Sequence, residues 1–295
     1  MALAANCLTV AGDASARAQG YVTAGDGVPV LMLHSSLASK SQWGGLATRL
    51  AAGYRTIAVD LWGYGDVALP ANRATFALDD EVRRVAALLD RLVPPQVPLH
   101  VVGHSYGGVV ALRLAQMHSA RVASLSLYEP VAFMLLDAGE RADISRLAER
   151  VARHVEEGRL YDAARAFVDF WSGDGSFARL RLPVQAKMAA RIAKVPLDFR
   201  AACGGPLDAR AIATPTLLLG GMHSPAVTHR IVETLTRTLP SVRAGWVDAG
   251  HMGPLTAAGA VDPLFEAFID ARVEHDRTAQ AARRAVAPTA WSAAA

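Results

Sequence analysis

The chain has 295 residues, enough for a sizeable core, and its 52% hydrophobic and 19% charged residues indicate a globular protein, not a disordered one. Its formal charge of +3 comes from 30 basic and 27 acidic residues that are intermixed along the chain. No basic stripe with interleaved aromatic residues is present, so nucleic-acid binding is not indicated. No helix pattern segregates its basic residues and no segment approaches about 18 consecutive apolar residues, which argues against a membrane protein.

The cysteines and the first residues favour a reducing compartment. Only Cys7 and Cys203 occur, far apart and without metal-type spacing, so neither a zinc site nor a disulfide framework is predicted. The start, MALAANCLTV, has no basic region before its apolar stretch, and that stretch is too short and too interrupted for a signal peptide. We therefore expect a cytoplasmic protein that holds no metal ion.

Short apolar runs alternate with segments of helical period along most of the chain. The runs that predict strands are VLML at 30–33, TIAV at 56–59, LHVVG at 99–103, SLSLY at 124–128, TLLLG at 216–220 and VRAGWV at 242–247. Apolar residues at helical spacing predict helices near 78–92, 227–235 and 261–269. The first of these begins with Asp79, Asp80 and Glu81, where the helix dipole favours acids. The alternation predicts an α/β fold, a mostly parallel sheet flanked by helices.

The alternation stops between about 134 and 209, where no convincing strand appears. Helical periods follow one another there, through Ile144, Leu147 and Val151, and then through Phe167 and Trp171. A helical insertion between two strands of one sheet predicts a lid. We therefore divide the chain into a core of residues 1–133 and 210–272, a lid of 134–209, and an Ala/Arg-rich tail of 273–295 that is expected to be a frayed helix or disordered.

The strongest chemical motif is LHVVGHSYGGVVALRLA at 99–115. It places Gly103, Ser105 and Gly107 as GxSxG between an apolar strand and a helix, the context that a nucleophile elbow requires. Small residues allow a sharp turn, and Ser105 then projects at a helix N-terminus, where developing negative charge is favoured. The motif predicts Ser105 as a nucleophile, although a chance Gly-Ser-Gly turn is the alternative.

A second segment, VPVLMLHSSLASKSQW at 28–43, has the first predicted strand, which ends in His34, then a polar loop, and Trp43, which opens the next helix. In an elbow-type site, a backbone N–H of this loop and the N–H of Tyr106 form the oxyanion hole. Ser36 is the expected loop donor and Ser35 the second choice. His34 and His104 lie in these motifs and are expected to pack and hydrogen-bond their turns.

A general base is predicted in VRAGWVDAGHMGPL, near the C-terminus. Of nine histidines, only His251 follows a late strand and also stands beyond a plausible acid, as the chain order Ser, acid, His requires. Asp60, which follows the TIAV strand, is expected to organise its own glycine-rich loop.

Together these motifs resemble the α/β-hydrolase superfamily with a helical cap, from about residue 20 to 272. The usual HG appears here as HSS, DxxGxGxS as DLWGYGDV, and GHSxGG as GHSYGG. Haloalkane dehalogenases and most epoxide hydrolases of this fold carry a nucleophilic aspartate, but here a serine stands in the elbow. The resemblance implies an acyl-enzyme, so esters, thioesters, amides or activated C–C bonds beside a carbonyl are the expected substrates.

The catalytic acid is not where most relatives carry it. That position follows the TLLLG strand, and here it is occupied by Ser224, which cannot hold a negative charge at neutral pH. In some members the acid follows the preceding strand, and the residue there is Glu129. We predict Glu129 as the acid. The open alternatives are a Ser105/His251 dyad oriented by Ser224 or water, the nearby Asp248, an unproductive site, and a purely structural buried ion pair for Glu129.

The expected reaction is hydrolysis of a small-molecule acyl substrate, without an organic cofactor. Acyl transfer or perhydrolysis on the same residues, and a non-catalytic ligand-binding protein of the same fold, are the alternatives. The residues expected to line a substrate pocket are Ser35, Phe133, Met134, Phe167, Phe170, Trp171 and His223. A lid core would use the same aromatic residues.

Overall fold

The structure, a computed structural model, describes residues 19–286. Cys7 and residues 287–295 of the predicted tail lie outside the described residues.

One sheet of seven strands organises this part of the chain. The strands are β1 (Tyr21–Ala24), β2 (Val28–Leu33), β3 (Tyr54–Val59), β4 (Leu99–His104), β5 (Val122–Tyr128), β6 (Thr216–Gly221) and β7 (Val242–Val247). Their order is β1-β3-β2-β4-β5-β6-β7, and only β1 runs antiparallel to its neighbour among them. The prediction of an α/β fold with a mostly parallel sheet is confirmed, and β1 is an additional strand at the edge.

Helices cover both faces of the sheet. In chain order they are α1 (Gly44–Leu50), α2 (Leu78–Leu92), α3 (Tyr106–Met117), α4 (Ala142–Glu156), α5 (Leu160–Ser172), α6 (Ser176–Arg179), α7 (Leu182–Arg191), α8 (Val195–Cys203), α9 (Ala226–Thr238), α10 (Gly253–Thr256) and α11 (Ala258–Val286). None of the helices in residues 19–286 is both long and apolar enough to cross a membrane.

The core has two parts because successive residues of a strand face opposite sides of the sheet. On β2, Val30 and Met32 pack with apolar residues of α1 and α11, whereas Leu31 and Leu33 pack with those of α2, α3 and α9. The strands are therefore apolar on both faces, as expected for a covered parallel sheet.

Helices α4 to α8 lie between β5 and β6 in the chain, and residues 134–209 contain no strand. Their buried apolar residues, Ile144, Leu147 and Val151 of α4 among them, belong to the same cluster as those of α2 and α3. The segment therefore shares its apolar core with the helices on the α2 and α3 side of the sheet. At the other end of the chain, α11 continues through position 273 to Val286, so the Ala/Arg-rich composition begins inside a helix.

Candidate active site

The turn from β4 to α3 holds Ser105 in an uncommon backbone conformation. Ser105 has φ 54° and ψ −116°, a positive φ that residues with a Cβ seldom adopt. Its N–H donates to the carbonyl oxygen of Tyr128 (3.0 Å). A Cβ at Gly107 would lie 2.3 Å from the carbonyl oxygen of Leu33, so only glycine fits beside β2. The glycine lets the strand and helix pack closely enough for this strained turn to hold the serine at the strand end.

His251, in the loop after β7, contacts both Ser105 and Glu129. Its Nε2 lies 2.9 Å from Ser105 Oγ, and its Nδ1 lies 2.7 Å from Glu129 Oε2. A carboxylate only accepts hydrogen bonds, so Nδ1 carries the proton and Nε2 is free to accept the Ser105 hydroxyl proton. The imidazole also stacks on Trp171 of α5, with ring centroids 4.3 Å apart. All three side chains of the Ser105–His251–Glu129 chain are buried.

Glu129 is fixed from both sides. It follows β5 directly with φ 42°, and its own N–H donates to the carbonyl oxygen of Leu219 on β6 (2.9 Å). The second carboxylate oxygen, Oε1, accepts from the N–H of Gly221 (2.7 Å). Each oxygen therefore has its own donor, and Oε2 is directed at the imidazole.

The other acid candidates lie elsewhere. The buried hydroxyl of Ser224 has no hydrogen-bond partner among residues 19–286. Asp248 is exposed and pairs with the exposed His223, with its Oδ1 2.6 Å from Nε2. The structure thus brings Glu129, and neither Ser224 nor Asp248, to Nδ1 of His251.

The two predicted oxyanion donors border the space in front of Ser105. The N–H of Tyr106 is the first of α3 and so has no acceptor within the helix. Ser35 N–H already donates to Gln42 Oε1 (3.1 Å), which leaves Ser36 as the loop candidate. The Ser36 hydroxyl donates to Asp198 Oδ2 of the lid helix α8 (2.6 Å), so the lid holds this loop in place.

A hydrogen-bonded chain also joins the segment after β2 to the loop of His251. Gln42 Nε2 donates to His104 Nδ1 (3.1 Å), and His104 Nε2 donates to the carbonyl oxygen of His251 (2.8 Å). His34 Nδ1 donates to the Ser35 carbonyl (2.7 Å), and its Nε2 accepts from Leu61 N–H (3.0 Å). The two bonds that a ring nitrogen accepts, at His104 Nδ1 and at His34 Nε2, require a neutral ring. Burial lowers the pKa of His34 to about 4 and that of His104 well below its ordinary value.

We expect these histidines to make the fold sensitive to mild acid. Their pKa values are lower in the folded than in the unfolded chain, so between pH about 6.5 and 4 the unfolded state binds more protons. The free energy of unfolding therefore decreases as the pH is lowered through this range. Each fully responding histidine contributes a slope of about 1.4 kcal/mol per pH unit. Urea unfolding of His34→Gln should show a shallower pH slope than the wild type, and the exposed His275→Gln should not. Parallel slopes for His34→Gln and the wild type would contradict this.

A buried charge cluster lies beside the oxyanion loop. Lys194 Nζ contacts Asp198 Oδ1 and lies 3.2 Å from Glu81 Oε2, and all three side chains are almost fully buried. Tyr64 OH donates to Asp198 Oδ2 (2.5 Å), and Tyr106 OH donates to Glu81 Oε2 (3.2 Å). Burial raises the pKa of Asp198. Burial acts to lower the pKa of Lys194, but the carboxylates of Asp198 and Glu81 outweigh that effect, and the pKa of Lys194 is raised. The cluster links α2, the lid and Ser36.

Two cavities adjoin at Ser105. The large cavity, about 480 Å³, is bordered by His251, Ser35 and Trp171, and it reaches the exposed Leu255. The small cavity, about 20 Å³, is bordered by Tyr106 and Phe133 and shares Ser36, Ser105, Phe167 and Trp171 with the large one.

Some predicted pocket residues border neither cavity. Met134 packs against the core, and Phe170 lies edge-on to Trp171 with ring centroids 4.9 Å apart. His223 follows β6 but faces solvent beside Asp248. The prediction that Met134, Phe170 and His223 line the pocket is therefore corrected, because proximity in the chain does not fix the face on which a side chain lies.

Residues missed from the sequence are Gln42, Glu81, Lys194 and Asp198. Glu81 lies in the first turn of α2 as predicted, but its buried contact with Lys194 was not predicted, and the others carry no motif signal. No group of three or more His, Cys, Asp or Glu side chains that could hold a metal ion occurs in the part of the chain described.

Comparison with known proteins places this site in a family context. The model of the Alpha/beta hydrolase family matches residues 30–264. RutD of Variovorax paradoxus (strain S110), which is assigned as a carbamate hydrolase, is 32% identical over 250 residues, 79% of this chain and 88% of that protein. A hydrolase from Pseudomonas aeruginosa PA01 has a similar structure, with a TM-score of 0.72 and 21% identity, covering 84% of this chain and 93% of that one.

A further match is partial. The dihydrolipoyllysine-residue acetyltransferase component of the acetoin cleaving system of Pseudomonas putida is 40% identical over 101 residues, 34% of this chain. The match spans about a quarter of the length of that relative, 26%.

Proposed function

We propose that this chain, which belongs to the α/β hydrolase family, is a serine hydrolase that cleaves an ester-like bond of a small-molecule substrate through an acyl-enzyme. The observation that carries the proposal is the buried hydrogen-bonded chain from Ser105 Oγ through His251 to Glu129. Nucleophile, base and orienting carboxylate are within direct reach of one another, which is what covalent acyl catalysis requires. The relative RutD, assigned as a carbamate hydrolase, would also act at a carbonyl carbon.

In the first step His251 Nε2 takes the Ser105 proton while Oγ attacks the substrate carbonyl carbon. The N–H groups of Tyr106 and Ser36 stabilise the oxyanion, and Glu129 stabilises the imidazolium through Nδ1–H. The bond between the carbonyl carbon and the leaving oxygen then breaks, and the proton on Nε2 passes to that oxygen. Ser105 is left acylated and His251 neutral.

In the second step a water molecule takes the place of the leaving group. His251 Nε2 accepts one of its protons as the water oxygen attacks the acyl carbon. The bond to Ser105 Oγ breaks, the proton returns to Oγ, and the carboxylic acid is released. The indole of Trp171 stacks on one face of the imidazole and covers that face.

A fluorophosphonate probe tests the proposal directly. We expect stoichiometric labelling of the folded protein, loss of both labelling and ester hydrolysis in Ser105→Ala, and retention of both in Ser224→Ala. The control serine is also buried and lies after a strand, but its hydroxyl hydrogen-bonds to no member of the Ser105–His251–Glu129 chain among residues 19–286. Labelling that persists in Ser105→Ala, or a folded wild type that neither labels nor hydrolyses esters, would refute the proposal. A fluorophosphonate-reactive enzyme that transfers acyl groups to an added alcohol faster than to water would indicate the acyltransferase alternative.

A further inference from the structure

The two cavities at Ser105 differ greatly in size. The large cavity, about 480 Å³, falls within the range of small-molecule sites. The small cavity, about 20 Å³, has room for roughly one ordered water molecule, a space similar to that of a methyl group. An ester with its carbonyl carbon at Ser105 must therefore place a large group in the large cavity and a small group in the small one.

The positions of the base and the oxyanion donor decide which part of the substrate occupies each cavity. The leaving oxygen must receive its proton from His251 Nε2, and His251 borders the large cavity but not the small one. Of the two oxyanion donors in the proposed mechanism, Tyr106 borders only the small cavity and Ser36 borders both. The leaving group thus extends into the large cavity, and the acyl chain extends beyond the oxyanion site into the small one.

The walls of the small cavity resist expansion. Phe199 of α8 stacks on Phe133 with ring centroids 6.2 Å apart and meets Phe167 edge-on at 5.9 Å. Phe133 in turn stacks on Trp171 at 6.4 Å. These rings are held against one another by lid and core elements together, so a longer acyl chain would have to displace several packed side chains.

The walls of the large cavity suit a bulky apolar group. Leu180 and Met188 of the lid border it, together with Met252 of the loop after His251 and Leu255 of α10. Leu255 is 43% exposed, so the cavity communicates with solvent and can release a large alcohol.

We propose that the substrates are esters that join a very short acyl group, acetyl above all, to a bulky apolar alcohol. This inference rests on the proposed serine-hydrolase function. Ser105 Oγ forms a bond to the carbonyl carbon of the short acyl group, and the bond from that carbon to the alcohol oxygen breaks. The proton from Ser105 passes through His251 to the alcohol oxygen. Water then releases the short carboxylic acid.

An acyl series with a fixed leaving group tests the small cavity. With 4-nitrophenyl acetate, propionate, butyrate and hexanoate, kcat/KM is expected to fall by at least about 10-fold from propionate to hexanoate. Values that rise through hexanoate would overturn the inference, because the acyl chain would then occupy the large cavity. If the fluorophosphonate still labels Ser105 in that case, the proposed serine-hydrolase function stands and only the inference on acyl length fails. A protein that is neither labelled nor able to hydrolyse any ester would refute both the function and the inference.

A matched pair of lid substitutions separates pocket size from lid stability. Phe199→Leu enlarges the small cavity and should raise the hexanoate to acetate ratio of kcat/KM by about 10-fold. Phe177→Leu makes the same change at an equally buried phenylalanine of α6 that borders neither cavity, and it should leave the ratio unchanged. An equal shift in both variants, or none in Phe199→Leu, would overturn the assignment of the small cavity. Because the ratio is an internal comparison, it is independent of the fraction of folded enzyme.

An alcohol series with a fixed acyl group tests the large cavity. Ethyl acetate and 2-phenylethyl acetate have leaving groups of similar chemistry but different bulk, and the larger ester should have a kcat/KM at least about 10-fold higher. Met188→Trp, which fills part of the large cavity, should reduce that preference while leaving the acyl-length preference as it is. A preference for ethyl acetate in the wild type would contradict the inference.

Discussion

The substitution Glu129→Gln is expected to lower kcat/KM for ester hydrolysis by roughly 10³- to 10⁴-fold, about 4 to 5.5 kcal/mol of transition-state stabilisation. Glu129 Oε1 accepts from Gly221 N–H and Oε2 from His251 Nδ1–H, so both oxygens face donors. A glutamine has only one acceptor oxygen, and its NH₂ group must face one of these two donors. Either the imidazole loses its preferred tautomer and orientation or the backbone N–H of Gly221 is left unpaired.

Steady-state hydrolysis of 4-nitrophenyl acetate and the rate of fluorophosphonate labelling measure this effect. Ser224→Ala is the control, because its hydroxyl occupies the position at which most relatives carry the acid but has no partner among residues 19–286. It should retain near wild-type turnover. A Glu129→Gln enzyme of near wild-type activity together with a crippled Ser224→Ala enzyme would support the dyad instead. Equal thermal stability of the two variants would show that the difference lies in catalysis.

The sequence predicted the sheet well because buried parallel strands leave a simple signal. Each of the six runs of apolar residues lies in a strand of the structure. The seventh strand, β1, was missed because it has only four residues, all of intermediate exposure, and pairs at the sheet edge. Its position is set by pairing with β3, which a local pattern does not encode.

Ser105, His251 and the chain order of serine, acid and histidine could also be predicted from the sequence, since the strand ends of a parallel sheet meet at one edge. Glu129 could be predicted because Ser224 cannot carry a negative charge and Glu129 is the acidic residue that follows the preceding strand. The buried cluster was not accessible, because Glu81 and Lys194 are 113 positions apart and isolated charges are ordinarily solvated. The two cavities were equally hidden, since their walls depend on which faces of the lid helices meet the core.

Lys194→Met is expected to reduce the free energy of unfolding by about 3 to 5 kcal/mol, as the loss of one partner from a buried ion cluster does. Lys194 is fully buried and is the cation that contacts both Glu81 and Asp198. Its replacement leaves two buried carboxyl groups without their counter-ion. Arg146→Met is the matched control, because Arg146 pairs with Asp143 on the exposed face of α4, and the loss there should be at most about 0.5 kcal/mol.

The pH dependence of that deficit identifies its cause. Burial already raises the pKa of Asp198 with Lys194 present, and removal of the cation should raise it further. An acid whose folded pKa is raised contributes stability below its unfolded pKa and loses it as pH rises through the folded pKa. The difference in unfolding free energy between wild type and Lys194→Met, measured by urea denaturation, should therefore be smaller at pH 5 than at pH 8. A deficit that is the same at both pH values would mean that lost packing of the lysine stem, and not the unpaired carboxylates, destabilises the variant.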